Sequence, residues 1–344
     1  MPYGESHLTL KRIFRVSIFL LAVLAAVFLL ALFAGPTPFD VSSVFKGIFS
    51  LFPFSDAQSQ LSESERAILF SIRIPRIIFA GIVGASLSCS GVVFQGILRN
   101  PLADPYILGV SGGAAAGAIV AITLGLDSLP FGVTAVAFIG GISSILLVWG
   151  LSGSSAERRT DRILLSGVIV NAFFSALIMF LVAVAGSERL QGVIFWLMGD
   201  LGMAEKKDIL LAALLMIAGF ILMFMNARDL NIMLAGEDTA LQLGINVKKT
   251  RMTLLLAASL VTAGAVSMSG IIGFVGLMIP HIARMLFGSD NRLLLPASLL
   301  FGGAFLIVAD AIARTVIAPS ELPVGVITAL CGAPYFAYLM KRSK

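Results

Sequence analysis

Charge is what this sequence has least of. Only 12% of its 344 residues are Asp, Glu, Lys or Arg, against roughly 25% in a soluble domain. A chain this poor in charge cannot cover a water-facing surface on every side, so a soluble globular fold is excluded. Histidine is as scarce, at two residues, which excludes a histidine-rich metal site. The two cysteines, Cys89 and Cys331, lie in apolar runs and suit small packing residues better than a disulfide or a metal pair. No Gly-Lys-Ser/Thr stretch is present to cradle a nucleotide phosphate, and no His-Glu-x-x-His stretch to hold zinc. Carboxylates inside apolar runs are few, Asp310 being the clearest, and none are paired as a proton or sodium relay would need. The expectation is a protein that is not an enzyme, with no cofactor and no metal site. Any pumping then draws its energy from another polypeptide.

What the sequence does have is apolar length. Hydrophobic residues make up 58% of it, and the mean hydropathy is +1.00. This points to one polytopic membrane domain, residues 1–344, in an all-α fold. A helix needs about 20 apolar residues to cross a bilayer, and ten candidate spans follow: 13–34, 67–98, 107–125, 130–150, 162–185, 207–226, 251–271, 274–287, 293–314 and 323–340. The first is too long for the core of a signal peptide. The boundaries around 186–206 are weak, and 274–287 is too short to cross alone. The net charge of +5 reports topology rather than nucleic-acid binding. Lys11, Arg12, Arg15, Arg99, Arg158, Arg159, Lys248, Lys249, Arg251, Lys341 and Arg342 all fall on one side if both termini are cytoplasmic.

Five features stand out. In Ser86–Gly117 an apolar run breaks at Arg99-Asn100-Pro101-Leu102-Ala103-Asp104-Pro105, because proline lacks a donor and clashes with the preceding turn. After this elbow Gly109, Gly113 and Gly117 recur every four residues, the small-residue pattern of tightly packed membrane helices. Arg73, Arg76 and Arg314 fall at span ends on the outer side, against the charge bias. They suit either interfacial snorkelling or docking of an acidic partner through the planar guanidinium fork.

The loop of about 227–250 carries Gly236, Glu237, Ala240, Leu241, Leu243 and Gly244, a short amphipathic helix that starts with carboxylates and ends at glycine. Such a helix lies on the bilayer surface or meets a partner. Gly273-Phe-Val-Gly-Leu-Met-Ile-Pro-His-Ile-Ala-Arg284 interrupts a span with glycines and Pro280, and places His281 after the proline as a packing residue or a functional one. Finally, Ser88-Cys-Ser-Gly-Val-Val93 resembles Ser267-Met-Ser-Gly-Ile-Ile272 at an offset of 179 residues. Two readings stand: an inverted repeat around a midplane path, or coincidence.

Together, Arg73-Ile-Pro-Arg76, Ser90-Gly-Val-Val-Phe-Gln95, Asn100-Pro-Leu-Ala-Asp-Pro105, Leu108-Gly-Val-Ser-Gly-Gly-Ala114, Gly236-Glu237 with Gln242-Leu-Gly244, the 273–284 stretch, Asp310, and Leu322-Pro-Val-Gly-Val-Ile-Thr328 with Gly332-Ala-Pro334 resemble the permease subunits of ATP-binding-cassette importers for iron–siderophores, haem and cobalamin (the FecCD type). The resemblance runs from about residue 70 to the end. It implies a homodimer with the path at its interface, two cytoplasmic ATPase subunits, and a periplasmic or lipid-anchored binding protein. It implies docking of that protein at Arg73, Arg76 and Arg314, and ATPase coupling through Gly236, Glu237, Ala240, Leu243 and Gly244. It also implies a cytoplasmic gate at Asn100, Pro101 and Leu102, with Thr160 and Asp161 lining a second gate, although an acidic residue at 161 departs from the small polar one expected. The implied cargo is an iron–siderophore or related metal chelate, with cobalamin or haem as alternatives. An ion-coupled secondary transporter is the reading from another class.

Overall fold

The computed structural model describes residues 9–35, 62–153, 160–202 and 205–342. Most of the outer segment 35–66 therefore lies outside the described residues, as do Arg158 and Arg159. Among the described residues there are thirteen helices and no strand. They are α1 (Leu10–Ala31), α2 (Glu63–Ile97), α3 (Val110–Thr123), α4 (Gly132–Leu151), α5 (Thr160–Val184), α6 (Ser187–Met198), α7 (Lys206–Met225), α8 (Ala227–Ala235), α9 (Glu237–Gln242), α10 (Val247–Ser269), α11 (Val275–Phe287), α12 (Asn291–Ala313) and α13 (Val324–Arg342).

Eight of these are long and apolar enough to cross a membrane. The two shorter apolar helices, α3 with 14 residues and α11 with 13, rise only about 20 Å each. Ten apolar helices thus stand where ten spans were expected, but α3 and α11 cannot cross without the chain that flanks them. The sequence reading missed α6, in the region of weak boundaries, and missed that the 227–250 loop opens with a second amphipathic helix, α8.

Helix ends follow local chemistry. A capping box starts α2: the Ser62 hydroxyl accepts from Glu65 N, and the Glu65 carboxylate accepts from Ser62 N. Gly270, at φ +69°, stops α10. The chain then runs unwound to Phe274 before α11 begins.

α2 is the axis of the fold. Every residue from Val83 to Ile97 is buried, and the helix packs against α7, α10, α11 and α12. A helix apolar on all faces has to be enclosed, and its small residues let neighbours close in. A Cβ at Gly84 would strike the Gly302 carbonyl of α12, and one at Gly91 would strike the Gly276 carbonyl of α11. Gly113 and Gly117 meet the Gly140 and Val136 carbonyls of α4 in the same way, so the four-residue glycine spacing marks a real helix contact. The outward faces of α5 and α7 expose Ile169, Phe173, Phe180, Leu214 and Ile221, a surface that suits hydrocarbon and not water. The chain is a multi-pass membrane protein.

The two stretches matched at an offset of 179 differ locally. Residues 88–93 lie in the middle of α2, whereas 267–272 run out of α10 into the unwound segment. Cys89 is buried as a packing residue should be, but Cys331 on α13 is exposed.

Candidate functional site

Two polar clusters stand along α2, one at Arg76, well inside the helix, and one at its C-terminal end. From Arg76 to Ile97 the helix rises about 30 Å, close to the thickness of a bilayer's hydrocarbon core.

The first cluster centres on Asp310 of α12, which is fully buried. Arg76 places Nε and Nη2 each 3.0 Å from Asp310 Oδ1, and its Nη1 is 2.6 Å from Glu321 Oε2 in the α12–α13 connection. Arg314 closes the other side, with Nε 3.0 Å from Asp310 Oδ2, and also donates to the Ala34 carbonyl at 3.1 Å. Arg73 donates to the Leu32 carbonyl at 2.7 Å. The three arginines expected to dock a partner are thus gathered at one end of the molecule. However, Arg73 and Arg314 are only 3% exposed, and the Arg76 side chain 10%. Their guanidinium groups are engaged within the chain. Burial needs that engagement, because an unpaired charge out of water is costly. The i,i+4 spacing of Asp310 and Arg314 was legible in the sequence; Glu321 gave no signal.

Between the clusters the broken segment is held by side chains. Tyr106 donates its hydroxyl to the Ile272 carbonyl at 2.7 Å and accepts from Ile272 N at 3.0 Å, which satisfies unwound backbone. Asp104 caps the 3₁₀ turn at 105–108 by accepting from Tyr106 N at 2.9 Å. Burial pushes its carboxyl up to about 6. Gln95 of α2 acts as a splint for α11. Pro280 has no N–H for the Gly276 carbonyl four residues back, and Gln95 Nε2 donates to that carbonyl at 3.5 Å and to the adjacent Leu277 carbonyl at 3.1 Å. Gln95 Oε1 meanwhile accepts from Arg284 at 3.0 Å. Its position opposite Pro280 could not be read from the sequence. His281 sits in a ring cluster with Tyr335 and Phe336, at centroid distances of 6.2 Å from each.

The second cluster joins the elbow to α8, α9 and α10. Arg99 donates to the Met233 carbonyl at 2.9 Å and lies 3.8 Å from Glu237, which also accepts from Arg251 at 2.5 Å. Gly236 separates α8 from α9 at φ +155°, a conformation that favours glycine. Ala240 points inward and is fully buried, packed with Met233 and Val247. Leu241 and Leu243 point outward, 59% and 64% exposed. Gly244, at φ +79°, has open space where a side chain would go.

The elbow residues Pro101 and Leu102 are exposed, and Asn100 Oδ1 caps the turn by accepting from Leu102 N at 2.9 Å. Thr160 and Asp161 open α5. Among the described residues no hydrogen bond or ion pair joins Asp161 to the elbow, and there is no group of three or more His, Cys, Asp or Glu arranged to hold a metal ion.

The model of the FecCD transport family matches residues 23–342. The cobalamin import system permease protein BtuC of Halobacterium salinarum is 45% identical, over 83% of this chain and 76% of its own length. The hemin transport system permease protein HmuU of Yersinia pestis is 39% identical, over 80% of this chain and 84% of its own. Among solved structures, a metal-chelate type ABC transporter in an inward-facing conformation superposes with a TM-score of 0.82 at 32% identity, covering 95% of this chain and 99% of that one.

Proposed function

The chain belongs to the FecCD transport family, and on that footing we propose that it is the membrane-spanning permease subunit of an ATP-binding-cassette importer that carries an iron–siderophore or related metal chelate. It works as a homodimer in the cytoplasmic membrane, with both termini in the cytoplasm. ATP is hydrolysed on two separate subunits, and a binding protein delivers the cargo from outside. The observation that carries this reading is α9. It is a short helix at one end of the molecule whose buried side is a single alanine, with Leu241 on it and Leu243 and Gly244 just past its end exposed. Exposed leucines on a surface helix call for a partner, and an ATPase subunit fits the family.

The path then opens alternately to each side. Differential binding of ATP to the two states drives the change, and the Asn100–Leu102 elbow, with Thr160 and Asp161, closes the inner side. Docking occurs at the end that holds Asp310. There Arg76 is the least buried of the three arginines and pairs with Glu321 on an exposed connection, so an acidic partner would compete with Glu321 for it, with Arg73 and Arg314 beside it.

The test is reconstitution. The chain is co-purified with a candidate ATPase subunit and binding protein from its own genome, and proteoliposomes are offered ferric siderophores, cobalamin and haem in turn. ATP-dependent uptake of a ferric chelate is the expected result. Uptake of cobalamin or haem alone would overturn the cargo. Uptake driven by an ion gradient without ATPase would overturn the class.

A further inference from the structure

Resting on the reading of α9 as the ATPase contact, we infer that Glu237 and Arg99 form the joint through which movement of α9 reaches the 100–102 elbow. Glu237 is the first residue of α9. It faces two arginines on two other elements: Arg251 of α10 and Arg99, the residue just before the elbow. Arg99 reaches further still. The nitrogen that faces Glu237 is also the one that donates to the Met233 carbonyl, in the last turn of α8. One guanidinium therefore spans the Gly236 hinge and touches the helix on each side of it.

Two features separate this contact from ordinary surface pairing. Arg99 sits in the left-handed turn that ends α2, at φ +47°, with its own N–H on the Gly96 carbonyl and that of Asn100 on the Gln95 carbonyl, so its place beside α8 and α9 is set by the helix stop. The side chains of Arg99 and Glu237 are about half exposed, at 50% and 44%, and pairs so wetted contribute little to folding. A pair so weak, held on a fixed helix stop, is hard to explain as a stability device. It is well placed as a linkage, because a rigid shift of α9 carries Glu237 with it and draws on the residue next to Asn100. Beneath the pair lies a shallow crevice lined by Gly96, Ile97, Leu230 and Leu234.

The experiment reads ATP hydrolysed per cargo molecule taken up by the reconstituted importer. Arg99→Ala and Glu237→Gln each raise that ratio by roughly five-fold or more. The double variant is no worse than the worse single, because both remove the same contact. Arg99→Lys, which keeps the charge and one donor, restores at least half of the coupling. Both side chains are half exposed, so none of these changes opens the core. Singles that leave the ratio unchanged, effects that multiply in the double variant, or a lysine variant no better than alanine would each overturn the joint. A wild-type complex that shows no ATP-dependent uptake would instead overturn the permease reading, and the joint with it.

Discussion

Arg76 and Asp310 stand 234 positions apart in the chain, yet the guanidinium of one sits 3.0 Å from the carboxylate of the other. The pair ties the first half of α2 to the end of α12 in a site from which Asp310 has no access to solvent. Arg314 completes the neutralisation from the opposite side.

Asp310→Asn removes the charge that two buried arginines share. Breaking a buried pair by removing one partner costs about 3–5 kcal/mol. The variant is expected to lose most of its folded yield, or to melt far below wild type, in fluorescence-detected size exclusion from detergent. Glu321→Gln, at the exposed edge of the same cluster, should cost less than about 1 kcal/mol. An Asp310→Asn protein as stable as wild type would show that the cluster does not hold these helices together. It follows that charge reversal at Arg73 or Arg314 tests folding before it tests docking.

Gln95→Leu leaves the Gly276 carbonyl, freed by Pro280, and the neighbouring Leu277 carbonyl without the Gln95 amide, and Arg284 without its acceptor. The expected loss is about 1–3 kcal/mol, the cost of buried polar groups left unmade. Pro280→Ala restores an intrahelical N–H and should recover part of that loss in the Gln95→Leu background. Strict additivity of the two changes in thermal melts would argue that Gln95 does not splint the helix.

Leu241→Ser with Leu243→Ser should leave thermal stability within about 0.5 kcal/mol, as surface changes usually do. Capture of the ATPase subunit should fall by roughly ten-fold or more, as when interface anchors are lost. Undiminished capture would move the ATPase contact elsewhere. Gly244→Trp is a poorer probe, since its φ of +79° strains any other residue.

Asp104 titrates with its folded-state pKa raised by burial to about 6, above the usual carboxylate value of about 3.9. The folded protein binds that proton more tightly than the unfolded chain does, so ionisation costs stability. The cost is fully present above about pH 6 and fades as pH falls toward the unfolded value. Asp104→Asn keeps an oxygen for Tyr106 N and carries no charge. It should therefore melt higher than wild type near pH 7.5, with the gap closing by about pH 4. A gap that widens as pH falls would reverse the assignment.

Where the physics is local, the sequence alone was enough. Apolar length placed ten apolar helices, proline broke the chain at the elbow, and the spacing of Gly113 and Gly117 marked a helix face, because each effect acts within a turn or two. The short helix at 237–242 was legible for the same reason: carboxylates at its start and glycine just past its end are local signals. The tertiary structure decided what depends on distant partners. No local rule says that arginines at a span end turn inward onto Asp310, that Gln95 serves a proline 185 positions later, or that Arg99 reaches across Gly236 to Glu237. Charge in a low-dielectric interior goes where an opposite charge is, and only the packing of α2 against α11 and α12, and of the elbow against α8 and α9, sets where that is.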